Sequence, residues 1–112
     1  AFFSVQINGT QRSLSGQTGM NSGSWNHIAG SFDGTTMKVY LNGKLDNQTT
    51  TYSGNITCCD GNGYDIGRHY SNNSYAFDGK IDDVRIYNYS LTAADIQRIY
   101  VEGLVNLNLA VQ

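Results

Sequence analysis

Oxygen-bearing side chains recur at short spacing near the middle of this 112-residue chain. Asp60, Asn62 and Asp65 are separated by two glycines and one tyrosine. Calcium takes carboxylate and amide oxygens, and glycines allow a tight loop to turn several of these oxygens inward. The spacing predicts a calcium-binding loop, and an ordinary Asp-Gly and Asn-Gly turn is the simpler alternative.

The stretch that follows carries the groups that proteins use to bind sugars. Sugars are recognised by aromatic faces flanked by polar hydrogen-bonding groups. We therefore hypothesise a surface here that binds a glycan or an extracellular protein. The alternative is that these residues only cover a sheet edge. They are Arg68, His69, Tyr70, Asn72, Asn73 and Tyr75.

Groups suited to catalysis are sparse. Hydrolysis of a glycosidic bond usually needs two carboxylates at a defined separation, one of them a general acid. The chain has a single glutamate, Glu102, while Asp82 and Asp83 are adjacent and would point in opposite directions on a strand. The two histidines, His27 and His69, do not have the spacing of a catalytic triad or a zinc site. We therefore expect no enzymatic activity.

The charge and hydropathy patterns exclude two kinds of partner. Seven basic residues are scattered along a chain of net charge −2, whereas binding to phosphates needs clustered lysine and arginine. No apolar run approaches the roughly 20 residues that are needed to cross a bilayer. We expect neither nucleic-acid binding nor insertion into a membrane.

The cysteines and the glycosylation sequons bear on the cellular compartment. Cys58 and Cys59 are neighbours, so a disulfide between them would be strained. Two thiols are the favoured interpretation, with a strained vicinal disulfide or an interchain bridge as alternatives. Five Asn-X-Ser/Thr sequons suit a secreted or cell-surface protein, although a chain rich in Asn and Thr also generates them by chance. They begin at Asn8, Asn47, Asn55, Asn72 and Asn88.

Alternating apolar residues between Gly-containing turns predict short antiparallel strands in the first half of the chain. A hairpin is expected to turn at Asn8-Gly9. A three-stranded meander follows over residues 25–51, with turns at Asp33-Gly34 and Asn42-Gly43. These dipeptides accept the positive φ that hairpin turns of this kind demand.

Further strands are predicted in the second half. Short ones are expected around Ile56 and over residues 64–66, where apolar residues interrupt a polar stretch. A longer strand is predicted over residues 80–89, which are rich in strand-forming residues. The clean alternation of residues 105–111 predicts a final strand.

One helix is predicted before that final strand. Thr92 and Asp95 have the spacing of a capping box at a helix start, and Gly103 is placed to end the helix. The chain has no proline and no linker composition. We therefore expect residues 1–112 to form one all-β domain with a short helix near its C-terminus.

Three stretches, taken in order, resemble the C-terminal half of a laminin G-like domain of the pentraxin type, within the concanavalin A-like lectin/glucanase superfamily. Each match alone is weak, but the order and spacing of the three agree with that family. The stretches are WNHIAGSFDGTTMKVYLNG at residues 25–43, YDIGR at residues 64–68, and FDGKIDDVRIYNYSLTAADIQRIY at residues 77–100.

The resemblance implies an antiparallel β-sandwich of the jelly-roll type, with Trp25 in its core and His27 in a structural role. It also implies a structural calcium at Asp82, because the first aspartate of the matching strand contributes to such a site in similar folds. A solvated surface carboxylate is the alternative for Asp82. The E-x-D-x-x-E motif of the related laminarinase-like enzymes is missing, which favours a non-catalytic module.

Complete members of that family carry several strands before the one that matches residues 2–7. Their absence predicts a truncated sandwich with exposed edges, which residues 105–111 of the same chain or of another chain would cover. We therefore expect a homo-oligomer. The leading hypothesis is a non-catalytic extracellular module for carbohydrate binding or adhesion. The alternative is a structural, self-assembling surface or filament subunit completed by strand exchange between chains.

Overall fold

Five strands and one helix make up the computed structural model, which describes residues 1–57, 66–68 and 75–111, with side chains as far as Val105. The strands form two antiparallel sheets, and this confirms the predicted all-β, antiparallel sandwich class. The assignment of the whole chain to one domain stays a prediction. The elements are β1 (Phe2–Ile7), β2 (Thr10–Ser15), β3 (Ile28–Phe32), β4 (Met37–Leu41), β5 (Lys44–Thr49) and α1 (Ala93–Val111).

Strands β1 and β2 form the hairpin sheet, which turns where the sequence predicts. Asn8 and Gly9 have φ values of 51° and 79°. Two successive left-handed residues make the type of tight turn whose twist matches the twist of the flanking strands. Ile7 therefore pairs with Thr10, and the register continues to the pair of Phe2 and Ser15.

Strands β3, β4 and β5 form the meander sheet, with β4 in the centre. At the first turn the Asp33 carboxylate accepts the backbone N–H groups of Thr36 and Thr35 at 2.7 and 3.0 Å. These hydrogen bonds hold the pKa of Asp33 below its ordinary value. The second turn has left-handed Asn42 and Gly43, as in the hairpin sheet.

The two sheets pack face to face and enclose a small core. Ile7 and Leu14 of the hairpin sheet meet Met37 and Val39 of the meander sheet, and we call these four residues the core cluster. Phe3 lies against Gly30 of β3 so closely that a Cβ at Gly30 would overlap the Phe3 ring. Glycine is thus required at position 30 by the approach of β1 to the meander sheet.

One carboxylate ties the edge of the meander sheet to the chain that leaves the hairpin sheet. Asp46 on β5 accepts the backbone N–H groups of Gln17 at 2.9 Å and Thr18 at 3.1 Å. The neighbouring Asn47 donates its side-chain N–H to the carbonyl of Ser15 at 2.8 Å. The loop after β2 is therefore fixed to β5 by side chains of β5.

The predicted capping box at the start of α1 is confirmed. The Thr92 hydroxyl donates to the Asp95 carboxylate at 2.6 Å and accepts the Asp95 backbone N–H at 3.1 Å. Ile96 and Ile99 are buried, while Tyr100 lies against the glycine of the Asn42-Gly43 turn. The helix therefore docks on the end of the meander sheet. The described residues form no helix that is both long and apolar enough to span a membrane.

The predicted final strand is wrong, because residues 105–111 continue α1 to Val111. A strand needs a neighbouring strand to satisfy its backbone groups, whereas a helix satisfies them within itself. Gly103 does not end the helix. It lies beside open space, where a side chain would meet no atom outside the helix within 4 Å. A glycine inside a helix costs only about 1 kcal/mol relative to alanine.

The strand predicted over residues 80–89 is also wrong. These residues have no regular secondary structure and their side chains are exposed, Ile86 to 83%. Asp83 has a φ of 53°, which breaks the extended conformation in the middle of the segment. The apolar residues predict a strand correctly only when a neighbouring strand covers them.

Four smaller predictions differ from the structure or fall outside it. Trp25 is 50% exposed and does not lie in the core, because β3 begins only at Ile28. Around Ile56 the predicted strand is reduced to a single antiparallel bridge with Ile7. Of residues 64–66, only Ile66 is described, in a bend, and Cys58 and Cys59 lie outside the described residues.

The burial pattern of α1 gives a test of its docking. Ile96 is 1% exposed and Val101 is 49% exposed on the same helix. Ile96→Ala should lower the free energy of unfolding by about 2–5 kcal/mol, because it empties a buried site. Val101→Ala, the matched control, should change it by less than about 0.5 kcal/mol. Urea titrations followed by circular dichroism would measure both, and equal effects would contradict the docked position of the helix.

Candidate ligand-binding site

Of the surface predicted to bind a ligand, only the two ends, Arg68 and Tyr75, fall within the described residues. Arg68 and Tyr75 are both exposed, and the backbone N–H of Phe77 donates to the carbonyl of Gly67 at 2.7 Å. This bond draws the two ends of the predicted surface together. The other predicted members, His69, Tyr70, Asn72 and Asn73, lie outside the described residues.

Of the predicted calcium ligands, only Asp82 falls within the described residues. Its Oδ1 accepts the backbone N–H of Asp83 at 2.7 Å, and the Asp83 carboxylate pairs with Arg85 at 2.9 and 3.1 Å. In the described part of the chain, no three His, Cys, Asp or Glu side chains come close enough to hold a metal ion. Calcium takes six to eight oxygens, so Asp82 would need further ligands. Asp60, Asn62 and Asp65 lie outside the described residues.

A polar cleft that sequence reasoning missed lies beside the turn of the hairpin sheet. Its volume is about 240 Å³, and we call it the Arg12 cleft. The walls carry hydroxyl groups, a side-chain amide, a guanidinium and one aromatic ring, over an isoleucine of the core cluster. The lining residues are Ile7, Asn8, Thr10, Arg12, Thr51, Tyr52 and Ser53.

The cleft exists because the chain after β5 returns to the hairpin turn. The backbone N–H of Asn8 donates to the carbonyl of Asn55 at 3.0 Å, and the Asn8 side-chain oxygen accepts the Asn55 N–H at 3.1 Å. Gly9 donates to the Thr57 hydroxyl at 2.8 Å, and Thr57 donates to the carbonyl of Gln6 at 3.0 Å. These four bonds fix one wall of the cleft against the hairpin sheet.

Arg12 and Tyr52 are in contact in the lining of the cleft. The Arg12 guanidinium carbon lies 4.9 Å from the centre of the Tyr52 ring, within cation–π distance. Tyr52 itself is half-buried against the core cluster. The aromatic ring is therefore held by the core, and the guanidinium is held by the ring.

The lining determines what the cleft can do chemically. The described residues of the lining include no carboxylate and no imidazole, so they offer no pair of groups for general acid–base catalysis. They do offer hydrogen-bonding groups around an aromatic ring, which suits binding of a hydroxyl-rich ligand. Arg12 and Tyr52 are 40 positions apart, and no local pattern in the sequence signals that they meet.

His27 is the one histidine of the described residues, and it lies at the junction of the meander sheet and α1. Its backbone N–H donates to the Asn42 side-chain oxygen at 2.9 Å, and its ring lies 5.9 Å from the Tyr100 ring. Burial lowers the pKa of His27 below its ordinary value of 6.5; Asp83 opposes this effect and Arg85 adds to it. The buried Nδ1 receives no hydrogen bond from the described residues. These contacts suit a packing role.

The two packed antiparallel sheets define a small β-sandwich module. A family model, Laminin_G_3 of the concanavalin A-like lectin/glucanases superfamily, matches residues 1–97. The chain therefore belongs to this superfamily, and the resemblance carried by the three sequence stretches is confirmed. Domains of this laminin G-like type are usually non-catalytic.

A solved structure is similar over most of the chain. It is the 2.1 Å crystal structure of an S-layer domain-containing protein, residues 221–444, from Clostridium thermocellum ATCC 27405. The sequence identity is 26% and the TM-score is 0.63, over 88% of this chain and 50% of that one. The chain thus spans half the length of this relative. A search of the curated proteins gave no match.

The lowered pKa values of His27 and of two aspartates predict that the protein loses stability in two separate pH ranges. Unfolded His27 binds a proton near pH 6.5 and folded His27 only at lower pH, so stability should fall as the pH drops below 6.5. Asp33 and Asp95 have lowered pKa values, so their contributions should be lost only below about pH 4. Urea midpoints measured from pH 7.5 to 4.5 should fall in the wild type and stay flatter in His27→Phe.

His69→Asn serves as the matched control for this measurement, since it removes the other histidine of the chain. Any change it makes to the dependence on pH between 7.5 and 4.5 measures the contribution of His69. A His27→Phe variant with the same slope as the wild type would show that His27 titrates alike in the folded and unfolded states.

Proposed function

We propose that this chain is a non-catalytic carbohydrate-binding module of a secreted or cell-surface protein. The observation that carries the proposal is the Arg12 cleft, where an aromatic ring, a guanidinium and several hydroxyl groups converge. Its superfamily includes lectins by description, which supports a glycan as the ligand. The similar structure comes from an S-layer domain-containing protein, which supports a position at the cell surface.

The size of the cleft limits what it can hold. Pockets for drug-sized ligands usually have volumes of roughly 300–1,000 Å³, and this cleft has about 240 Å³. We infer that it takes one sugar ring, with the rest of a longer glycan outside. Thr10, Thr51 and Ser53 line the cleft, and their hydroxyl groups would bond to sugar hydroxyls.

The absence of catalysis is part of the proposal. Within the described residues, several carboxylates form hydrogen bonds or ion pairs away from the cleft. Asp46 holds the loop after β2, Asp95 caps α1, and Glu102 pairs with Arg98 at 3.1 Å. None of them is placed to protonate a glycosidic oxygen in the cleft.

A second binding surface and a calcium ion are further proposals from the sequence. The surface that includes Arg68 and Tyr75 would contact a glycan or an extracellular protein. A structural calcium would use Asp82, or the loop that contains Asp60, Asn62 and Asp65. Neither proposal depends on the Arg12 cleft, so binding assays with calcium and with a chelator separate them.

A blocking substitution tests the glycan proposal. Ser53 is exposed at the cleft, and a tryptophan there would fill the cleft without removing a side-chain hydrogen bond of the described structure. The wild type should bind at least one class of immobilised glycan, and Ser53→Trp should bind it at least tenfold more weakly, equivalent to about 1.4 kcal/mol. Affinity electrophoresis, run with calcium and with a chelator, would measure both.

Ser90→Trp is the matched control, because Ser90 is exposed but lies outside the cleft. It should bind like the wild type. Equal weakening by both substitutions would contradict the proposed site. A wild type that binds no glycan, with or without calcium, would contradict the proposed function.

A self-assembling surface subunit is the second candidate function, and one observation favours it. Within residues 77–89, six large apolar side chains are exposed on a segment outside both sheets. Such a segment tends to pair with a second chain. Residues 105–111 are helical, so they do not supply the strand that was predicted to be exchanged between chains. The exposed side chains are Phe77, Ile81, Val84, Ile86, Tyr87 and Tyr89.

Light scattering tests this second candidate, with a second copy of the chain as the partner. The wild type should form dimers or larger species whose mass increases with concentration. Ile86→Lys should shift the equilibrium toward the monomer by at least tenfold, since it places a charge on the most exposed of these side chains. Met20→Lys, at an exposed loop position, is the control and should associate like the wild type. A monomer at all concentrations would contradict self-assembly.

A further inference from the structure

We infer that the Arg12 cleft selects sugars that carry a carboxylate, such as uronic acids, and that Arg12 binds this carboxylate. The inference rests on the proposed function, because it assumes that the cleft holds a glycan. It goes further by naming the class of sugar and the residue that determines the specificity.

Among the described residues, Arg12 differs in its partners from two other arginines, Arg85 and Arg98. Arg85 pairs with Asp83, and Arg98 pairs with Asp95 and Glu102. Within the described residues Arg12 forms no ion pair, and its interaction there is with the uncharged Tyr52 ring. In the described part of this chain of net charge −2, the guanidinium therefore has no carboxylate partner.

The geometry leaves the donors of Arg12 available. A guanidinium has five N–H groups in one plane, and they point outward from its edge. The Arg12 Cζ lies over the face of the Tyr52 ring, and this contact takes up none of the N–H groups in a hydrogen bond. No hydrogen bond is made by the Arg12 side chain within the described residues. The edge of a guanidinium is suited to two parallel hydrogen bonds with the two oxygens of a carboxylate.

The rest of the cleft is compatible with an acidic sugar. None of the other described residues that line the cleft carries a charge, so none of them would repel a carboxylate. The Thr10 hydroxyl has no described hydrogen bond and lies in the same cleft. Thr51 shares a hydrogen bond of 2.8 Å with Thr49 and keeps further bonding capacity. These hydroxyl groups would bond to the ring hydroxyls while Arg12 holds the acid group.

The structure also explains why the selection depends on arginine rather than on charge alone. A lysine at position 12 would place a point charge near Tyr52, but it lacks the planar fork that matches a carboxylate. The preference for uronic acids should therefore be weakened by Arg12→Lys and abolished by Arg12→Gln. These two variants separate attraction by charge from recognition by shape.

The experiment compares galacturonate oligomers with galactose oligomers of the same length, by isothermal titration calorimetry. The wild type should bind the galacturonate oligomer at least tenfold more tightly, and the difference should shrink as salt is raised. Arg12→Gln should bind both oligomers equally, and Arg12→Lys should retain part of the preference. Arg98→Gln, an arginine outside the cleft, should behave like the wild type. Thermal unfolding of each variant shows that the fold is retained.

Two negative results have different meanings. Equal binding of both oligomers by the wild type, unchanged in Arg12→Gln but blocked by Ser53→Trp, would overturn the uronic-acid inference and leave the carbohydrate-binding function intact. If neither oligomer binds and no other glycan binds, the proposed function fails and the inference fails with it.

Discussion

The contact between the two sheets is the interaction on which the rest of this structure depends. A two-stranded hairpin is at best marginally stable alone in water, so the hairpin sheet needs the meander sheet beneath it. Ile7 and Leu14 supply one side of the core cluster, and Met37 and Val39 supply the other. Protein interiors are closely packed. This contact therefore needs a glycine at position 30, because the ring of Phe3 occupies the space that a side chain would fill.

The Arg12 cleft follows from this contact and from the return of the chain after β5. Tyr52 packs on the core cluster, and the bonds between Asn8 and Asn55 fix the adjacent wall. The cleft is thus rigid at the ring and at the hairpin turn, which keeps Arg12 in place before a ligand arrives. Preorganisation of this kind lowers the entropy lost on binding. A polar surface of the same composition on a loose loop would bind more weakly.

The sequence predicts well wherever structure is decided locally. Both Asn-Gly turns adopt left-handed φ values, and Thr92 and Asp95 form the expected capping box. Prediction fails where a partner decides the outcome, as for residues 80–89 and 105–111, because alternation indicates a strand only when another strand lies beside it. The cleft was not predicted for the same reason, since it is formed by Arg12 of β2 together with Tyr52, 40 positions later in the chain. The predicted calcium loop and most of the predicted binding surface lie outside the described residues and stay predictions.

The structure also distinguishes among the glycosylation sequons by the bonds of their asparagines. The Asn8 side-chain N–H donates to the carbonyl of Ser53 at 3.4 Å, and the Asn47 side-chain N–H donates to the carbonyl of Ser15 at 2.8 Å. A glycan on either nitrogen would have to displace these contacts, whereas Asn88 lies on the exposed segment. A module that keeps its cleft open for a foreign sugar therefore needs the Asn8 amide free of its own glycan. The same triplet that suggested a secreted protein is, at Asn8, part of the wall of the proposed binding site.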